Sequence, residues 1–216
     1  MLITPPVGVY WIASSTMRNA LIVAAVVVFL GGGYYAWQTY GGKSAQEPAP
    51  APEPVSRTYA TSTFSIRYPS DFTADDSYLY DRFEGKPIAG VKFGIPASMA
   101  AGTNLLPDTY LSVEWLPRAK NCTGDIYVVP DVRAFELAVG STTYSAATTT
   151  GAAAGNAYEE RVFAIGGSKP CTAVRYFLHS GNVGNYPEEG EGGVRGFDSA
   201  LLAIFDRIRD SLVLNQ

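Results

Sequence analysis

Most of the chain after residue 57 contains segments in which apolar and polar side chains alternate, a period of two that is typical of β-strands with one buried face. Residues 64–68 read FSIRY and residues 110–116 read YLSVEWL, and turn residues or proline follow both. Residues 142–150 and 157–165 flank the loop GAAAGN, which predicts a hairpin. We predict an antiparallel meander, with further strands at residues 91–95 and 171–179.

The last predicted element has a different period. Large apolar residues recur there at spacings of three and four, which predicts an amphipathic α-helix with one buried face: Phe197, Leu201, Ile204, Phe205, Ile208 and Leu212. We expect Phe205 to lie in the core of the domain. The predicted fold class is α+β, an antiparallel sheet with a C-terminal packing helix.

The N-terminal region predicts a membrane segment. No charged side chain lies between Arg18 and Lys43, and residues 20–30 are apolar without a break. A helix over residues 19–40 would span about 30 Å, the thickness of the hydrocarbon core, and would place its aromatic residues at the interface. Residues 1–18 then form a leader. A cleaved secretory signal is the alternative, and both interpretations export the remainder of the chain.

Residues 41–56 are rich in proline and alanine, which predicts an extended linker and leaves residues 57–216 for the domain. Cys122 and Cys171 are the two cysteines of the chain. On an exported chain two cysteines usually pair, and the disulfide would stabilise the fold by about 4 kcal/mol in the chain-entropy model. Two free buried thiols in a cytosolic protein are the alternative.

Charge and composition narrow the choice of partners. The net charge is −4 and there is no run of lysine or arginine, so we expect no nucleic-acid partner. His179 is the single histidine, and a metal site would lack ligands. We therefore expect neither a metal nor another cofactor. Glu188, Glu189 and Glu191 lie among glycines, and we interpret this segment as a solvated loop rather than a cation site.

The candidate ligand-binding residues are Glu160, Arg175 and His179. Arg175 and His179 share a strand face because their spacing is even, and Glu159 and Glu160 lie on the neighbouring predicted strand. Such a group would bind a small anion. The alternative is a cross-strand ion pair between Arg175 and a glutamate, with His179 as a surface residue.

The segment FSIRYPSDF at residues 64–72 resembles the opening strand of PsbP-like domains, and the closing helix is similar as well. The combination of anchor, linker and two cysteines is similar to that of envelope proteins of Gram-negative bacteria. The resemblance implies an α/β/α sandwich, and it implies a single-pass anchor in the inner membrane with the domain in the periplasm. It brings neither a reaction nor metal-binding residues to this chain.

The lack of a recognisable catalytic motif favours a non-enzymatic, membrane-tethered binding or accessory module, whose partner is an envelope protein or a small ligand. The alternative is a cell-envelope hydrolase that uses acidic residues such as Glu159 or Glu160, with His179 assisting. A structural spacer is a third interpretation. A deep polar pocket containing these side chains would favour the enzyme, whereas a shallow aromatic or apolar surface would favour binding.

Overall fold

The computed structural model describes residues 55–129, 132–187 and 193–215. Contacts within the chain separate Met1–Glu53 from a compact unit at Pro54–Gln216. The predicted leader, the predicted membrane segment, most of the linker and the acidic loop lie outside the described residues. Within the described ranges, no helix has both the length and the apolar character needed to cross a membrane.

The described part of the domain consists mainly of strands. The strands are β1 (Ser56–Ala60), β2 (Phe64–Pro69), β3 (Thr73–Asp75), β4 (Leu79–Tyr80), β5 (Ile88–Gly94), β6 (Tyr110–Leu116), β7 (Phe135–Val139), β8 (Thr142–Ala153), β9 (Asn156–Ile165), β10 (Cys171–Gly181) and β11 (Val213–Leu214). The helices are α1 (Ala97–Ala100) and α2 (Ala200–Asp210), and 3-10 turns lie at Gly124–Tyr127 and Val183–Asn185.

The larger sheet has eight antiparallel strands in the order β3-β5-β6-β10-β9-β8-β7, with β4 also paired to β5. The predicted hairpin is confirmed, but its loop is shorter than the sequence suggests, because the pairing of β8 with β9 continues to Ala153 and Asn156. Ala154 and Gly155 form the two-residue connection, and their φ angles are 51° and 81°. Positive φ at both positions matches the turn that suits the twist of paired strands.

The main core lies between one face of this sheet and a layer formed by the smaller sheet and α2. The smaller sheet has the order β1-β2-β11. Phe205 of α2 is fully buried, and its ring centroid lies 5.2 Å from that of Tyr176 on β10 and 6.4 Å from that of Phe72. The predicted amphipathic helix with Phe205 in the core is therefore confirmed.

The other face of the larger sheet is covered by the segment that contains the first 3-10 turn. The predicted disulfide between Cys122 and Cys171 is confirmed, and it joins this segment to the first residue of β10 with the Cα atoms 5.2 Å apart. Gly124 packs directly on β8, where a Cβ atom would lie 2.7 Å from the Ser145 carbonyl oxygen and 2.8 Å from the Ala147 nitrogen. Only glycine allows this approach.

The predicted α+β class with an α/β/α sandwich is wrong. Among the described residues, α2 is the one helix longer than a single turn, and two antiparallel sheets supply most of the regular structure. The fold is therefore dominated by sheet. The layer predicted to be helical contains the smaller sheet, and β1 begins at Ser56, the last residue of the predicted linker.

Candidate functional site

Three charged side chains meet on the covered face of the larger sheet: Glu114 of β6, Glu160 of β9 and Arg175 of β10. Arg175 lies opposite Ser112 on β6 and Val162 on β9, so the two carboxylates approach it diagonally from the neighbouring strands. Arg175 and Glu114 are 0% exposed and Glu160 is 2% exposed. The strand register thus places a buried cation between two buried anions.

Protein groups surround the guanidinium group of Arg175. Its Nε and Nη2 atoms donate to the two carboxylate oxygens of Glu114 at 2.7 and 2.8 Å, a bidentate pair. Its Nη1 atom donates to Glu160, and Nη2 also donates to the Tyr127 carbonyl at 2.6 Å. Burial lowers the pKa of Arg175, but the negative charge of Glu114 and Glu160 outweighs burial and raises this pKa above its ordinary value. The group therefore stays charged.

Hydroxyl groups complete the hydrogen bonds of the two carboxylates, and that of Ser112 donates to Glu114 at 2.8 Å. Tyr80 donates to Glu160 at 3.0 Å, and its ring centroid lies 3.6 Å from the guanidinium carbon of Arg175. Tyr78 donates to Glu114 at 3.1 Å, and its hydroxyl oxygen lies 2.9 Å from that of Tyr110.

Burial raises the pKa of all three tyrosine hydroxyls, that of Tyr110 to about 12. The nearby charge of Glu114 raises the pKa of Tyr78 further. At neutral pH these groups are therefore hydrogen-bond donors. We call Glu114, Glu160, Arg175, Tyr78 and Tyr80 the buried network.

Arg82 closes the buried network on the solvent side. Its Nη1 atom lies 3.1 Å from Oε1 of Glu160, and the side chain of Arg82 is 44% exposed whereas that of Glu160 is 3% exposed. Without Arg82 the buried network contains two carboxylates and one guanidinium, a net charge of one negative unit. Arg82 neutralises this charge and remains accessible to solvent.

A cleft of about 360 Å³ opens above this face of the sheet. Its floor is aromatic: the rings of Tyr110 and Phe177 stack with centroids 4.9 Å apart, and Tyr78 meets Tyr110 edge-on at 5.4 Å. Both tyrosine hydroxyls are tied to the buried network, which fixes the floor in place. The charged residues that line the cleft are Asp81, Arg82, Lys92 and Asp108.

His179 lies near the rim of the cleft and bonds to Asp108. Its Nδ1 atom is 2.8 Å from each carboxylate oxygen of Asp108, and its ring stacks on that of Tyr158 with centroids 4.4 Å apart. The side chain of His179 is only 13% exposed. In the part of the chain that the structure describes, its Nε2 atom is buried and has no hydrogen-bond partner.

The structure brings two of the three predicted site residues together. The cross-strand ion pair between Glu160 and Arg175 is confirmed, whereas His179 bonds to Asp108 instead of either residue. Arg175 is fully enclosed, so a ligand in the cleft would meet Arg82 first. Direct ligand binding by Glu160, Arg175 and His179 stays a prediction.

The residues named for a hydrolase are separated in the same way. Glu159 and Glu160 are consecutive on β9 and so point to opposite faces of the sheet. Glu159 pairs with Arg161 at 2.6 Å, and Glu160 belongs to the buried network. The structure therefore does not bring these two carboxylates to one site.

Sequence reasoning missed several residues of the site, and only one of them left a signal. Glu114 lies in YLSVEWL on the side that the alternation assigned to solvent, yet it is buried. Its signal was indirect, since the neighbouring strands carry apolar residues on both sides and thus predict cover on both faces. Arg82, Lys92 and Asp108 come to line one cleft only through the tertiary structure.

No metal centre emerges from the residues that the structure describes, where no group of three or more His, Cys, Asp or Glu side chains could hold an ion. The acidic residues Glu188, Glu189 and Glu191 lie outside those residues.

Comparisons with known proteins find little similarity. No family model matches the chain, and no curated protein matches it. A crystal structure from Bacteroides thetaiotaomicron VPI-5482 is similar over 71% of this chain and 45% of its own, with 12% sequence identity and a TM-score of 0.39. The chain thus covers less than half of that protein, and a likeness at this level identifies neither family nor function. The resemblance to PsbP-like domains stays a prediction.

Proposed function

We propose that this chain is a membrane-tethered, non-enzymatic binding module outside the cytoplasm, and that the cleft above Tyr110 and Phe177 is its ligand site. The observation that carries the proposal is an open aromatic cleft on top of a network of charges that already satisfy one another. A floor held by such contacts needs little rearrangement when a ligand binds, which favours affinity.

The size and lining of the cleft support a small-molecule ligand. Its volume of about 360 Å³ lies at the lower end of the range of roughly 300–1,000 Å³ that is typical of small-molecule sites. Such sites usually combine apolar and aromatic walls with a few placed polar groups. Here Tyr78, Tyr110 and Phe177 supply the rings, and Arg82 and Lys92 supply charges.

The state of the carboxylates supports binding rather than catalysis. A general acid or base must reach the proton that it transfers. Glu114 and Glu160 are buried and already bonded to Arg175 and to tyrosine hydroxyls. Their oxygens are therefore occupied by protein groups.

The tether and the location are supported by the sequence and by the disulfide. The apolar segment at residues 20–30 predicts an anchor, and disulfides persist mainly in exported proteins. An anchor in the inner membrane with the domain in the periplasm accommodates both features.

The ligand site is tested by filling the cleft. Thr73 is an exposed residue of edge strand β3 that lines the cleft, and Thr58 is an exposed residue of edge strand β1 in the other sheet. We expect T73W to abolish the binding of cleft ligands and T58W to preserve it. The measurement is ligand-observed NMR on the full chain in detergent, with a library of single-ring fragments. The proposal fails if no fragment distinguishes the two variants.

The location is tested separately by trapping thiols in intact cells. A membrane-impermeant protease should degrade the domain once the outer barrier is opened, and alkylation under denaturing conditions should find Cys122 and Cys171 unreactive. Two reactive cysteines in a protease-protected protein would contradict export.

A further inference from the structure

Two cations lie over the aromatic floor of the cleft. The Nζ atom of Lys92 is 5.9 Å from the ring centroid of Tyr110, and the guanidinium carbon of Arg82 is 5.3 Å from that of Phe177. The two rings are stacked neighbours, and both cations line the same cleft. An anionic group in the cleft therefore has two candidate cationic partners.

Lys92 is not essential to its acidic partner. Lys92 lies 3.4 Å from Asp75, and both side chains are more than a third exposed, at 36% and 40%, so this pair contributes little. Asp75 keeps two hydrogen bonds from Ser77, at 3.1 and 2.6 Å, when Lys92 turns away. Lys92 can therefore turn from Asp75 to a ligand, and Asp75 keeps its hydrogen bonds from Ser77.

Arg82 can face a ligand while it stays beside Glu160. Its Nη1 atom lies 3.1 Å from Glu160 and its side chain is 44% exposed, so the other N–H groups of the guanidinium can serve as donors to a ligand without loss of this ion pair. The planar guanidinium group can offer two parallel donors to a carboxylate or phosphate group. Arg82 is thus suited to bind one anionic group from its position over Phe177.

The acidic residues of the cleft indicate what else the ligand carries. Asp81 is exposed at the rim, and Asp108 is 61% exposed on its side chain although it bonds to His179. Carboxylates accept hydrogen bonds from hydroxyl groups. A ligand with hydroxyls as well as a negative charge would satisfy both kinds of lining residue.

We propose that the cleft binds an anionic sugar, a single pyranose ring that carries a carboxylate or phosphate group, with Arg82 and Lys92 on the anionic group. The apolar face of the ring lies against Tyr110 and the exposed side chain of Leu79, which also lines the cleft, and Asp81 and Asp108 accept from its hydroxyls. The volume of about 360 Å³ admits one ring rather than a long chain. This inference rests on the proposed function of the cleft as a ligand site.

The test is calorimetric titration of the full chain in detergent with three probes. D-glucuronate carries a carboxylate, D-glucose 6-phosphate carries a phosphate, and D-glucose is neutral. We expect at least one anionic probe to bind at least about ten-fold more tightly than D-glucose. A hydrogen bond to a charged group contributes enough free energy for a ten-fold difference in affinity. Binding of one anionic probe alone tells whether a carboxylate or a phosphate is preferred. Rising salt should weaken anion binding and leave D-glucose unaffected.

Variants assign the effect to the two cations. K92Q and R82Q should each weaken binding of the anionic probe about ten-fold without changing that of D-glucose, and R82K should restore part of the loss. K86Q is the matched control, because Lys86 is an exposed cation in the connection between β4 and β5 that does not line the cleft. K92Q keeps the test decisive if R82Q does not fold, since it removes only an exposed ion pair.

The outcomes separate this inference from the proposed function. Equal binding of D-glucose and both anionic probes, or equal effects of K92Q and K86Q, would overturn the anionic ligand while the cleft remains a ligand site. The anionic ligand is likewise overturned, and the cleft remains a ligand site, if none of the three probes binds while fragments still distinguish T73W from T58W. Failure of the sugars and the fragments together would overturn both.

Discussion

Replacing Arg175 with methionine should destabilise the domain strongly. The variant loses the hydrogen bonds to Glu114, to Glu160 and to the Tyr127 carbonyl. Both carboxylates stay buried, and among the described residues only Glu160 then keeps an ion pair, with Arg82. Removing one partner of a buried ion pair costs about 3–5 kcal/mol. Methionine keeps most of the apolar stem, so the loss reports mainly on the charges.

Urea unfolding followed by circular dichroism measures this loss, with the disulfide kept oxidised in every sample. The midpoint should fall while the slope with urea concentration stays constant, which shows that stability has changed rather than the surface exposed on unfolding. The melting temperature should fall by roughly 10 °C, since 1 kcal/mol corresponds to about 2–4 °C for a domain of this size.

Two further variants decide whether the charges are the cause. R161M removes a partly exposed pair with Glu159, whose side chains are 35% and 29% exposed, and it should cost less than about 1 kcal/mol. The double variant R175M/E114Q removes one of the stranded carboxylates and should recover part of the loss. A dominant role of the buried charges is refuted if R175M lowers the free energy of unfolding no more than R161M does, or if E114Q makes R175M still less stable.

Three further predictions concern packing and titration. G124A should cost about 1–3 kcal/mol, because its Cβ would lie 2.7 Å from backbone, whereas G151A meets nothing within 4 Å and should be neutral in the same urea assay. F205A should lower the free energy of unfolding by about 3–5 kcal/mol. R207A, on the exposed side of α2, should lower it by less than about 0.5 kcal/mol. Equal melting temperatures of the two variants would show that Phe205 is not a core residue. Burial raises the pKa of seven tyrosine hydroxyls above the ordinary value of 10.0, so their contribution to stability is complete below pH 10 and is lost as pH rises above it. Tyrosinate absorbance from the most deeply buried of them, Tyr78, Tyr110 and Tyr176, should therefore appear together with the loss of circular dichroism, and ionisation of all the tyrosines in a still folded protein would contradict the burial.

The sequence predicted the central strands and α2 because these segments are long enough to show a period. Strands β6, β8, β9 and β10 have seven to twelve residues each, whereas β3, β4 and β11 have two or three. Strands that short form only because a partner strand is in place. The pattern therefore showed only β2 of the second sheet, and its pairing with β1 and β11 was not predicted.

The site was predictable only in part, for a similar reason. Glu160 and Arg175 lie on strands whose adjacency follows from the meander, so their ion pair was foreseen. Glu114 was not, because the alternation in β6 does not reveal that the segment after Cys122 covers that face. That Arg82 and Lys92 line one cleft depends on how β4 and β5 pair, which no local pattern encodes.

Strand β2 is paired with β1 on one side and β11 on the other, and the residues of β11 follow those of β2 by nearly the whole length of the domain. Strands β7, β8, β9 and β10, in contrast, form consecutive antiparallel pairs, each strand with the next one in this series. Contacts between distant residues form slowly, since a long loop must close first. The meander is therefore expected to form early, and its apolar face stays uncovered until the final residues have been synthesised and have folded onto it. During that interval a nascent chain is most exposed to aggregation, and a chaperone that shields Phe163 and Tyr176 would act at this step.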